Sequence, residues 1–317
     1  MWGICRQASA FLSGHTSAFI TAVALVSWWQ PGLFEWVRGS AQAMVLGGIM
    51  LAMGMTLRTE DWRVLAQRPL DILIGACAQY TIMPLLALGL VWALNLPPGI
   101  AVGLLLVGCC PGGVSSNIMS LLGKGDVAYS VGMTAASTLL APVVTPLLML
   151  WLAGERVEVS AGELFMSILW VTVLPIAVGT LLNGLFGRRA GYARVCSVLP
   201  GVAVLALACI VGGVVSAQGS SFFAQGVLIF VGIFLHNGLG YVLGYVVGTC
   251  CGMSTPKRRT LSLEVGMQNA GLATVLAARH FPALPEAAVA SAVSCVWHSV
   301  SGTLLAGLFR RWASKKV

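Results

Sequence analysis

The sequence predicts an all-α polytopic membrane protein of ten transmembrane helices, arranged as two inverted repeats of five helices each. Three observations predict it. Only 28 of 317 residues are Lys, Arg, Asp or Glu, or 9%, where soluble globular proteins carry about 25%. The hydrophobic share is 58%, with a mean hydropathy of +0.90. The basic residues fall between long apolar runs and alternate in density from one gap to the next.

The composition excludes a soluble enzyme, a disordered chain and a secreted disulfide scaffold. A transmembrane β-barrel is disfavoured because the apolar stretches are continuous and do not alternate. The formal charge of +8 would suggest nucleic-acid binding in a soluble protein. Here it suggests loops facing an anionic leaflet, so the expected partner is the lipid bilayer and not nucleic acid. The nine cysteines lie mostly in apolar stretches without metal spacing and are expected to be packing residues.

The spans follow in order. The first, near 14–31, runs into Trp28-Trp29-Gln30-Pro31 without a small-x-small cleavage site, so it is a short span and not a signal peptide. The second, 42–57, stops at Arg58, and the third, 70–94, begins after Arg68. The fourth, 99–122, stops before Lys124 and is broken inside; the fifth, 127–153, lies between Asp126 and Glu155. The sixth, 163–186, ends at Arg188, and the seventh, 196–217, follows Arg194. The eighth, 222–251, and the tenth, 286–309, are each bounded by Lys or Arg on one side. The ninth, 260–279, lies between Arg259 and Arg279 and is also interrupted.

The basic residues orient this chain. With both termini in the cytoplasm, fifteen Lys and Arg are inside and only Arg38, Arg156 and Arg279 are outside. An odd number of spans per half inverts the second half relative to the first, with repeats of about 1–157 and 158–317. The fourth span of each half is the interrupted one.

Glu264 is the informative acid, because the other nine fall in loops or at span ends. An ionisable group inside a span is costly and usually marks an ion path. Gln268 lies one turn deeper on the same face, followed by Asn269 and Gly271. The fourth span breaks at Cys110-Pro111-Gly112-Gly113-Val114-Ser115-Ser116-Asn117. Pro111 removes a backbone donor and the glycines favour unwinding, which frees carbonyls at membrane depth. Ser130, Thr134, Ser137 and Thr138 form a stripe in the fifth span, and Gln79 lies in the third. These hydroxyls could instead bond their own helix, and Gln79 could simply bridge helices. One carboxylate among neutral oxygens suits a monovalent hard cation.

With these residues in view, the chain resembles the bile acid:sodium symporter family over nearly its whole length. The resemblance rests on the stretch Cys110 to Asn117, on Gly123-Lys124-Gly125-Asp126-Val127-Ala128-Tyr129-Ser130, on Ser137-Thr138-Leu139-Leu140-Ala141-Pro142, and on Glu264-Val265-Gly266-Met267-Gln268-Asn269-Ala270-Gly271-Leu272-Ala273. It implies a panel of helices 1, 2, 6 and 7, about 14–57 and 163–217. It also implies a core of helices 3–5 and 8–10, about 70–153 and 222–309, with helices 4 and 9 unwound and crossing. It implies two transported sodium ions. The first would be held by Ser116, Asn117, Ser130, Thr134 and Glu264. The second would be held by Gln79, Glu264, Gln268 and the carbonyls of Val265 and Met267.

An organic anion would lie between core and panel against the crossing, near Val114, Ser115, Asn269, His298 and Ser299. Val114 and Ser299 replace residues that are often polar or amide-bearing in bacterial relatives, so the anion is left open between bile acid-like molecules and small carboxylates such as pantoate-type hydroxy acids. The expected function is sodium-coupled symport into the cytoplasm by alternating access, in a bacterial inner (cytoplasmic) membrane, with a monomer sufficient. The alternative is proton coupling with Glu264 as the carrier. No enzyme is expected, since His15, His236, His280 and His298 show no catalytic or metal spacing.

Overall fold

The computed structural model of the protein describes residues 2–57, 67–218 and 226–314. Arg58, Glu60, Asp61, Arg63, Lys315, Lys316 and the first residues of the eighth span lie outside the described residues. The described chain is helical throughout, with one isolated antiparallel backbone bridge, Gly112 to Gln268.

The chain opens with α1 (Trp2–Gly14), which meets α2 (Thr16–Trp29) at 82°. Then come α3 (Ser40–Thr56), α4 (Pro69–Ala93), α5 (Pro98–Cys109), α6 (Ser115–Leu122) and α7 (Val127–Ala153). The second half holds α8 (Ala161–Ile168), a π-helical turn (Leu169–Val173), α9 (Leu174–Phe186), α10 (Ala190–Cys196), α11 (Leu199–Gln218) and α12 (Gly226–Cys250). It ends with α13 (Thr255–Gly266), α14 (Ala270–His280) and α15 (Pro285–Ser314). By length and composition, six stretches among the described residues could each cross a bilayer, or seven if α1 and α2 count as one bent span. The protein is a multi-pass helical membrane protein.

Local chemistry places the boundaries. Pro69, Pro98, Pro256 and Pro285 stand in first turns, where their missing N–H groups cost nothing. Asp126 caps α7 by accepting from the Tyr129 N–H at 3.1 Å. The charged ends of several helices meet in one cluster: Arg68 pairs with Asp126 at 2.7 Å and Lys257 with Asp71 at 2.5 Å. Arg259 in the same region donates to the carbonyls of Gly123 and Lys124.

Helix α5 is apolar on every face and buried on every face, with Leu104, Leu105, Leu106 and Val107 at most 1% exposed. It packs on α4, α7 and α15, while α13 packs on α12 and α14 on α15. A second group forms where α3 packs on α9 and α11, and α11 on α2. There the backbones touch. A β-carbon on Gly54 would strike the Ile176 carbonyl, and one on Gly179 would strike the Leu51 carbonyl.

The structure departs from the sequence-based spans at their edges. Helices α1 and α10 were not anticipated, because neither contains a long apolar run. Helix α13 begins at Thr255, five residues before the expected start, because Pro256 opens its first turn and the basic run Lys257 to Arg259 continues the helix.

Candidate functional site

Helix α5 ends at Cys109 and α6 resumes at Ser115; α13 ends at Gly266 and α14 resumes at Ala270. Cys110 and Met267 take extended backbone angles at these ends. The two breaks lie against each other and bond reciprocally. The Gly113 N–H donates to the Met267 carbonyl at 2.8 Å, and the Asn269 N–H donates to the Pro111 carbonyl at 2.8 Å. Backbone groups freed by the unwinding are thus satisfied within the protein, as the absence of water at this depth demands. The Cys109 carbonyl, freed at the end of α5, accepts from Thr145 at 2.7 Å.

Glu264 is fully buried beside this crossing. Its carboxylate accepts from Ser116 at 2.5 Å, from Thr134 at 2.8 Å and from Ser130. Asn117 Oδ1 lies 2.9 Å from the Ser130 hydroxyl and 3.4 Å from that of Thr134. Ser120 joins at 3.1 Å from Ser130, and the Gly113 carbonyl at 2.7 Å from Ser116. Each hydroxyl has one proton, yet each is within reach of at least two acceptors. The cluster therefore has more oxygen lone pairs than hydrogens to fill them. That surplus around one carboxylate is what a small hard cation binds to.

A second group lies across α4 and α13. Gln79 donates to Gln268 Oε1 at 2.5 Å, and Gln268 donates to the Val265 carbonyl at 2.8 Å. Gln79 Oε1 is buried without a hydrogen-bond partner among the described residues. An unpartnered buried carbonyl is costly, and a cation would remove the cost. The Met267 carbonyl belongs to the crossing, where Gly113 occupies one lone pair. The hydrogen bonds of Glu264 all run to the first group, so its expected reach to both groups rests on its place one turn before Gln268. Ser137 serves the crossing, accepting from the Gly112 N–H at 3.3 Å, while Thr138 bonds back to its own helix.

Against the crossing is a cavity of about 340 Å³, which Asn117 and Gln268 of the two oxygen groups also line. Val114, Ser115, Asn269, His298 and Ser299 all line it. Asn269 Oδ1 caps α14 through the Leu272 N–H at 3.0 Å, which leaves the side-chain amide donors for another partner. His298 contacts the Gln268 carbonyl through Nδ1 at 3.4 Å, and its buried Nε2 has no partner. The Ser299 hydroxyl donates to the Cys295 carbonyl at 3.1 Å and can still accept. Most of the remaining wall is apolar, with Met50 and Met53 of α3 and Val204 and Leu207 of α11. Among the described residues no charged side chain lines the cavity. These wall residues were missed from the sequence, where nothing sets them apart from lipid-facing neighbours.

A multi-pass helical protein with two broken helices and a buried oxygen cluster behind an apolar cavity belongs to the class of membrane transporters. A sequence profile of the Sodium Bile acid symporter family matches residues 43–225. The chain is 43% identical over 313 residues to the uncharacterized sodium-dependent transporter YocS of Bacillus subtilis (strain 168), covering 99% of this chain and 96% of that one. It is 40% identical over 299 residues to the probable sodium/metabolite cotransporter BASS1, chloroplastic, of Arabidopsis thaliana, covering 94% and 74%. It is 36% identical over 286 residues to the probable sodium/metabolite cotransporter BASS2, chloroplastic, of Oryza sativa subsp. japonica, covering 90% and 68%. The chain belongs to the sodium bile acid symporter family. It is a sodium-dependent carrier and not an enzyme.

Proposed function

We propose that the protein carries an organic anion into the cytoplasm together with two sodium ions. One observation carries this reading: three hydroxyls converge on the buried carboxylate of Glu264, with Asn117 Oδ1 on two of them, directly behind the crossing that borders the cavity. Ser116, Asn117, Ser130, Thr134 and Glu264 hold the first ion. Gln79, Gln268, Glu264 and the carbonyls of Val265 and Met267 hold the second.

The charge balance favours an anionic substrate. Two cations against one carboxylate leave one positive charge near a cavity with no charged lining among the described residues. The N-termini of α6 and α14 add positive potential at the same place. Asn269 supplies amide donors for a carboxylate, and Met50, Met53 and Leu207 face the apolar body. One polar end and apolar walls suit a monocarboxylate, whether a small hydroxy acid or a larger bile acid-like molecule.

The ten-span topology with both termini cytoplasmic, in two inverted repeats, is supported by helices that fall on all ten apolar segments. The clustering of Arg68, Asp71, Asp126, Lys257 and Arg259 supports a common cytoplasmic side. Panel and core are supported by the two packing groups, α2, α3, α9 and α11 against α4, α5, α7 and α12 to α15. The cavity lies between them, and movement of one group against the other is the alternating-access step.

Uptake by purified protein in proteoliposomes tests this reading. Uptake should require sodium, with a Hill coefficient above one for the ion. Equal uptake in potassium or choline medium would overturn sodium coupling. Uptake that then follows the pH gradient would establish Glu264 as a proton carrier instead.

A further inference from the structure

We propose that α1 is an interfacial anchor that docks the α2–α3–α9–α11 group onto anionic lipid headgroups. The inference rests on the cytoplasmic placement of the N-terminus proposed above. Helix α1 meets α2 at 82°, so if α2 crosses the bilayer, α1 lies along its surface. At 100° per residue, Ile4, Ala8, Phe11 and Leu12 share one face, while Arg6, Ser9 and Ser13 share the other. Ile4 is 73% exposed and Phe11 64%, so the apolar face is uncovered by protein. Trp2, half exposed, is a residue type enriched at membrane–water interfaces.

The seat of α1 is specific. Ser9 is buried against the start of α11, where its hydroxyl donates to the Val198 carbonyl at 3.2 Å and accepts from the Gly201 N–H at 2.9 Å. A β-carbon on Gly201 would stand 2.6 Å from the Ser9 α-carbon. The helix packs on α11 and α2. It is thus joined to one packing group and moves with it.

Charge selects the occupant. Arg188 and Arg189 precede α10 and Arg194 lies in its last turn, which leads directly into the Val198–Gly201 seat, and Arg6 lies on α1 itself. There is no Asp or Glu in residues 1–30 or 187–201. An uncovered apolar face beside four arginines that form no ion pair among the described residues is complementary to an anionic bilayer surface. Each arginine near such a surface favours binding about fivefold.

The test uses the full chain, cysteine-depleted, in nanodiscs of phosphatidylcholine with or without phosphatidylglycerol. Spin labels at Ile4→Cys and Phe11→Cys should show high accessibility to oxygen and low accessibility to a nickel chelate. A label at Ala10→Cys, on the side of Arg6 and Ser13, should show the reverse, and phosphatidylglycerol should deepen the first two. Exchanging Arg188, Arg189 and Arg194 for Gln should remove that lipid dependence while leaving the labels in place. Chelate access at positions 4 and 11 equal to that at 10 would overturn the anchor. Protection at 4 and 11 that disappears with one chain per nanodisc would also overturn it, in favour of a second copy of the chain. None of these measurements depends on sodium or substrate, so they stand apart from the transport reading. Reaction of Ala10→Cys in proteoliposomes with an impermeant thiol reagent only from the outer side would overturn the orientation, and with it the choice of leaflet.

Discussion

Gly113 and Gln268 meet backbone to backbone: a β-carbon on Gly113 would lie 2.8 Å from the Gln268 carbonyl oxygen. Two unwound segments can approach this closely only because one of them carries hydrogen in place of a side chain. Gly113→Ala should push the crossing apart and destabilise the protein by about 1–3 kcal/mol, the usual cost of overpacking. Thermal unfolding in detergent would show this, and an unchanged midpoint would mean that the crossing yields freely.

Glu264→Gln keeps the shape of the site but removes its charge. Sodium should then bind at neither group with measurable affinity, because the cations would face neutral oxygens alone. Isothermal titration with sodium chloride reads this directly. Two ions bound near wild-type affinity would refute the assignment.

Thr134→Ala and Gln268→Ala remove one neutral oxygen each, from different groups. Each should lower the Hill coefficient for sodium towards one without abolishing uptake. A double variant should lose sodium coupling altogether. Identical effects of both single substitutions on a single ion would mean that the two groups are one site.

Asn269→Asp separates two roles of one side chain. A carboxylate can still cap α14, so stability should change by less than the roughly 0.5–2 kcal/mol that loss of a cap costs. A negative charge at the cavity wall should repel the substrate, and anion binding should fall while sodium binding persists. Loss of sodium with retention of the anion would reverse the assignment of the two faces.

Topology has its own measurement. In a cysteine-depleted background, a cysteine at Arg156 should react with an impermeant reagent from outside, and one at Arg189 only from inside. Reaction of both from one side would refute the ten-span topology and the inverted repeat.

Much of the oxygen cluster was legible in the sequence, for a physical reason. A buried carboxylate in an apolar run must be compensated, so Glu264 and the hydroxyl stripe of Ser130 and Thr134 announced each other. The breaks were legible because Pro111 and the paired glycines cannot continue a helix. Met50, Met53 and Leu207 were not legible, because in an apolar helix neither lipid-facing nor cavity-facing side chains carry a periodic mark. Helices α1 and α10 escaped for the opposite reason, being too short and too polar to read as spans.

The close seam of α3 and α9 bears on where the molecule can yield. Gly54 rests on Ile176 and Gly179 on Leu51, backbone against backbone, so this pair of helices has no side-chain layer that could slide. The adjoining flank of α3 presents Met50 and Met53 to the cavity, and unbranched thioethers change rotamer at little cost. A single helix is therefore rivetted on one flank and greased on the next, and substrates of different girth would be accommodated by methionine rotamers while the helix axis holds still.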